Sequence, residues 1–190
     1  MTMSSFSELV CGVTTELATC ASAVSPSSVE GAVDEIAKSK RVFVGGAGRS
    51  GLVIRAGAVR LMHLGKTAHV VGEVTTPPIT DEDLLLVGSG SGRTETLLAT
   101  AQKAKKEGAR LLVITIDPES PLAQLADRIV EVPAPAPKVV SSRAPAKSIQ
   151  PLGNLFEQTL LILLDVIVTM MMERQGLSSD EMFTRHANLE

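Results

Sequence analysis

Short, largely apolar runs alternate with longer mixed stretches through the middle of the chain. RVFV at 41–44, TAHVV at 67–71, LLLV at 84–87, RLLVITI at 110–116 and IVEV at 129–132 read as strands. Between them, 51–64, 94–107 and the shorter 121–126 read as helices. Strands that lack polar alternation are buried on both faces, so the pattern predicts a parallel sheet covered by helices on each side. The fold class is α/β, doubly wound and flavodoxin-like, with five strands and a core over 41–132.

Two helices, 4–23 and 27–39, precede the sheet, with Pro26-Ser27 as the break between them; they read as scaffold. From 133 to 151 the chain turns Pro/Ala-rich, with Lys138, Arg143 and Lys147 as its only charges. So long a connection inside a compact domain is read as either mobile or functional. A helix over 152–174 follows, apolar nearly all round, and then a polar tail over 178–190. A helix without a polar face needs cover on every side, which predicts a homodimer or homotetramer. Its most apolar part, 160–172, is too short to cross a bilayer and carries Asp165.

Composition narrows the classes. A chain of 190 residues, 44% hydrophobic, suits one domain over 1–190. A net charge of -3 without a basic block argues against nucleic acid as a partner. With no Tyr or Trp there is little aromatic surface for stacking, so recognition must be polar. Cys11 and Cys20 match no metal spacing and read as free thiols in a reducing compartment. The opening MTMSSFSELV has no secretory pattern, so a cytoplasmic location is expected.

Two loops follow predicted strands and open helices, where an open parallel sheet binds its ligands. GGAGRSG at 45–51 contains the spacing G-x-G-x-x-G, with Glu73 near the place of a ribose-binding acid, so a dinucleotide site is one reading. The chain has little left over for a dehydrogenase's substrate domain. In GSGSGRT at 88–94, Ser89, Gly90, Ser91, Gly92 and Thr94 offer hydroxyl donors and accessible backbone N–H groups at the positive end of a helix. That set suits a phosphate monoester. A plain Thr94 N-cap would not require two further serines and two glycines.

The S-G-S-G-x-T loop together with G-x-G-x-S-G resembles the sugar isomerase (SIS) domain. The segments QPLGNLFE at 150–157 and MFTRHANLE at 182–190 resemble the 6-phospho-3-hexuloisomerase family within it, and the likeness covers essentially the whole chain. The resemblance implies conversion of D-arabino-3-hexulose 6-phosphate to fructose 6-phosphate, in the ribulose monophosphate pathway, with no cofactor and no metal. The carbonyl moves from C3 to C2 through a cis-enediolate, which needs a base at carbon and a proton shuttle between the oxygens.

In the first turn of an apolar helix, burial would strengthen the Glu157 carboxylate as a base while pairing with the helix N-terminus would weaken it; the resemblance of QPLGNLFE to the family implies that Glu157 is the candidate base. His186 is the candidate shuttle, acting within its own chain or in a neighbouring subunit. His63, just before Gly65, reads first as a helix C-terminal cap and second as an acid/base group. Gly48, Arg49 and Ser50 are expected to meet the sugar or its phosphate, and Arg93 borders the second loop. Two alternatives stay open: an isomerase of another sugar phosphate, such as an arabinose or heptose phosphate, and a non-catalytic sugar-phosphate sensor.

Overall fold

The computed structural model describes residues 5–135 and 147–189. Residues 136–146, which hold Lys138 and Arg143, lie outside the described residues. The elements in chain order are α1 (Phe6–Ser22), α2 (Pro26–Lys38), β1 (Arg41–Gly46), α3 (Gly48–His63), β2 (Thr67–Val70), β3 (Leu84–Gly88), α4 (Glu95–Lys106), β4 (Arg110–Thr115), α5 (Pro121–Gln124), β5 (Arg128–Glu131), α6 (Asn154–Gln175) and α7 (Ser179–Phe183). The strands form one sheet of five in the order β2-β1-β3-β4-β5, parallel throughout. This is the expected doubly wound α/β fold.

Alternate residues of each central strand face opposite layers. Val42, Val44, Leu84, Leu86, Leu112 and Ile114 join the core shared with α1, α2, α3 and α6, while Phe43, Leu85, Val87, Leu111 and Val113 join α4 and α5. Each such side chain, at most 2% exposed, contributes on the order of 1.5–3 kcal/mol by leaving water. Strand order reverses between β1 and β3, whose register sets Gly46 beside Gly88. Both loops singled out in the sequence leave the sheet at this point.

Boundaries differ from the sequence reading where caps and packing decide them. Helix α3 begins at Gly48 rather than Gly51, so Arg49 and Ser50 lie in its first turn. A Cβ on Gly51 would meet the Gly46 carbonyl oxygen at 2.7 Å, so these two glycines let α3 rest against β1. Helix α6 begins at Asn154, because Leu152 takes φ 54 and breaks the helical path. The tail is not wholly irregular. Ser178 and Glu181 form a reciprocal capping box that starts α7.

Helix α6 has the length and apolarity of a membrane span, yet half of that stretch is buried inside the chain. Its Leu160, Leu163, Leu164 and Ile167 sit in the core, and Leu161 and Val166 stay exposed. Part of the cover that α6 needs is therefore supplied by α1, α2 and α3.

Candidate active site

The loop after β3 is built to present donors. Its carbonyls are engaged on the far side: Gly90 O accepts from the Ile116 amide at 3.1 Å and the Thr115 hydroxyl at 3.2 Å, and Gly92 O accepts from the Leu122 amide at 3.1 Å. Ser89, 4% exposed, receives the Gly92 amide on its hydroxyl oxygen at 3.2 Å and so closes the loop. Gly92 holds φ 59, and a Cβ there would fall 2.0 Å from the Ser120 hydroxyl. Only glycine fits. Thr94 is the N-cap of α4 but its side chain makes no capping bond, which leaves the hydroxyl for a ligand at the positive end of the helix.

A pocket of about 290 Å³ opens over this loop. Ser89, Gly90, Ser91 and Thr94 line it together with Ser50 from α3 and Glu157 from α6. Leu97, Ile116, Leu152 and Phe156 supply apolar surface that the sequence reading did not assign to the site. Apolar residues carry no chemical signature, and only the meeting of β4, α4 and α6 selects these. Among the assigned residues, Gly48 and Gly92 shape the two loops by positive φ, and Arg93 is tied to Asp117 at 2.8 Å.

Arg49 reaches across the gap from α3 to α6. Its Nη1 donates to Glu157 Oε2 at 2.6 Å and also to the Asn154 side chain. The Glu157 side chain keeps 16% of its exposure, so it is neither fully buried nor surrounded only by apolar groups, as the sequence reading expected. It faces the pocket beside a cation, in a position to take a proton from a ligand carbon and to have the developing charge balanced nearby.

The histidines are brought together, but elsewhere. His63, buried at the end of α3, stacks on His186 with ring centroids 5.3 Å apart and planes 15° apart. They line a second pocket with Arg60, Asp165 and Phe183. The Arg185 guanidinium donates to the His63 carbonyl at 3.1 Å, so the tail caps α3. From Gly48 to His63, α3 spans roughly 22 Å at 1.5 Å per residue. Within one chain the histidines therefore do not share the pocket of Glu157. The acid Glu73 is paired with Arg55 at 2.7 Å on the surface.

A parallel sheet with this strand order, with a hydroxyl-rich loop and a carboxylate from the last long helix in one pocket beyond the carboxyl ends of its strands, defines a doubly wound α/β protein with a site for a polar ligand. Residues 35–162 match the SIS domain, and the chain belongs to that family. It is 45% identical over 183 residues to the 3-hexulose-6-phosphate isomerase of Bacillus subtilis, covering 96% of this chain and 98% of that one. The Mycobacterium gastri protein of the same name is 46% identical over 175 residues, 92% of this chain and 86% of its own. The crystal structure of a hypothetical protein from Methanococcus jannaschii, from which a 3-hexulose-6-phosphate isomerase function was inferred, superposes with a TM-score of 0.83 at 33% identity. That match covers 96% of this chain and 99% of that one.

Proposed function

We propose that this chain is a sugar-phosphate ketol isomerase that interconverts D-arabino-3-hexulose 6-phosphate and D-fructose 6-phosphate, a step of the ribulose monophosphate pathway and of formaldehyde assimilation. The observation that carries this reading is that Glu157 lines one pocket with Ser91 and Thr94. The near full-length likeness to two proteins named for that reaction supports the substrate.

In this reading the loop at 89–94 takes the phosphate, which fixes the sugar chain with C2 toward Glu157. The Glu157 carboxylate removes the C2 proton, and the C2–H electrons form the C2–C3 double bond of a cis-enediolate as the C3 carbonyl oxygen takes up negative charge. Arg49 sits where it balances that charge. A proton passes from the C2 hydroxyl to the oxygen at C3. The protonated Glu157 then delivers its proton to C3 as the C2 carbonyl forms. Ser50 is placed to hold a sugar hydroxyl.

His186 or His63 performs the oxygen-to-oxygen shuttle only if a second copy brings its histidine end to this pocket. Exposed Leu52, Val59 and Met62 on α3 and Leu161 and Val166 on α6 give such a copy apolar surface to cover. We therefore read the protein as a soluble, cytoplasmic homodimer or homotetramer with a composite site. Incubation of chelator-treated protein with a panel of sugar phosphates tests the substrate. Turnover of hexulose 6-phosphate supports the reading, whereas turnover of an arabinose or heptose phosphate alone, or binding without turnover, would replace it.

A further inference from the structure

The N-terminal helix does more than cover the sheet. Glu16, on α1, is bound by the segment that leads into α6: its carboxylate accepts from the Ser148 hydroxyl at 2.6 Å, the Ile149 amide at 2.8 Å and the Gln150 side-chain amide at 3.3 Å. Partial burial would push this carboxyl up, but the donors from Ser148, Ile149 and Gln150 outweigh it and hold it below its ordinary value. One turn earlier on the same face, Gly12 leaves a notch. A Cβ there would lie 2.5 Å from Ile149 Cδ1, so Gly12 leaves room for the tip of the Ile149 side chain against α1.

Three residues separate this seat from the start of α6. Pro151 has a fixed φ, Leu152 is held at φ 54 and Gly153 is the N-cap, after which Asn154 and Glu157 occupy the first turn. A positive φ on a non-glycine residue is strained and persists only where the surroundings impose it. Here the strained residue stands between a chain segment anchored on α1 and a helix buried in the core. Gln150, in the segment that resembles the isomerase family, thus turns to α1 and not to the pocket.

We propose that Gly12 and Glu16 form a seat that fixes 148–150 and, through it, the angle at which Glu157 enters the pocket, which makes Glu16 a positioning residue for proton transfer. This rests on the reading of Glu157 as the base. A gap of about 1 Å between reacting atoms costs up to about a hundredfold in rate. A glutamine at 16 keeps the shape but turns an NH2 group toward donors that need an acceptor.

The test compares Glu16→Gln, Ser148→Ala and Glu157→Gln with the parent protein, using substrate carrying deuterium or hydrogen at C2. Glu16→Gln should lower kcat roughly ten- to a hundredfold with KM within about twofold, and should raise the deuterium isotope effect on kcat as proton transfer becomes slower than the other steps. Ser148→Ala, which removes one donor from the opposite side, should shift both quantities the same way by a smaller factor. Tryptic cleavage after Lys147, read by intact mass, should quicken in Glu16→Gln. An unchanged kcat and isotope effect in both Glu16→Gln and Ser148→Ala overturns the proposal. So does a fall in kcat without a larger isotope effect, the mark of a general structural loss. If Glu157→Gln itself keeps its turnover, the reading of the base has failed instead, and the two failures are told apart.

Discussion

Arg49 Nη1 lies 2.6 Å from Glu157 Oε2, which couples the first turn of α3 to the first turn of α6 across the mouth of the pocket. The pairing makes the proposed base and a cation one unit. Arg49→Met should leave the fold intact, because the guanidinium is half exposed, and should lower kcat by about ten- to a hundredfold, the worth of a hydrogen bond to a charged group. Arg49→Lys should recover part of that loss. Steady-state kinetics checks it, and full activity in Arg49→Met would remove Arg49 from the site.

Glu157→Gln keeps shape and hydrogen bonding but cannot accept the C2 proton. General base catalysis contributes typically about 10²–10⁴-fold, and kcat should fall by that factor with KM little changed. Exchange of the C2 proton with heavy water, followed by NMR, should stop as well. Retained exchange would move the base to another residue.

If the hydroxyls of Ser91 and Thr94 hold the phosphate, as proposed, they hold it equally in the ground and transition states, so their loss acts on binding. Ser91→Ala and Thr94→Ala should each raise KM about ten- to a hundredfold while kcat changes little. Inhibition by inorganic phosphate should weaken in parallel. An unchanged KM in both variants would sink the phosphate assignment.

A composite site predicts complementation. Glu157→Gln spoils one half of the site and His186→Asn the other, so mixing the two inactive proteins under conditions that exchange subunits should restore activity that neither has alone. Light scattering should report an oligomer at micromolar concentration. A monomer, or an inactive mixture of subunits shown to have exchanged, would confine the chemistry to one chain.

Stability should fall in acid through Asp83. Burial alone would push its carboxyl up, but the Arg41 guanidinium and the Thr80 amide and hydroxyl outweigh burial and hold it below its ordinary value. A depressed folded-state value means stabilisation that is present above the unfolded carboxylate range and lost as pH falls through the folded one. Asp83→Asn should cost about 3 kcal/mol at neutral pH, and its Tm should converge with that of the parent as pH drops below about 4. A constant Tm difference from pH 7 to pH 3 would refute the assignment.

Some of this was settled by the residues in order. Short, mostly apolar runs such as LLLV and RLLVITI, alternating with helical stretches, pointed to strands covered on both faces, and the doubly wound sheet followed. The place of the loop at 89–94, after a strand and before a helix, was equally legible, since serines and glycines clustered before a helix are a local signal. Glu157 stood out only through the segment around it that resembles a family. What the chain order does not contain is distance between elements. That Arg49 meets Glu157, that His63 and His186 stack at the other end of α3, and that Gln150 faces Glu16 are consequences of α1, α3 and α6 packing on one layer of the sheet. Close packing of bulky apolar faces fixes those positions, and it joins residues far apart in sequence that carry no pattern of their own.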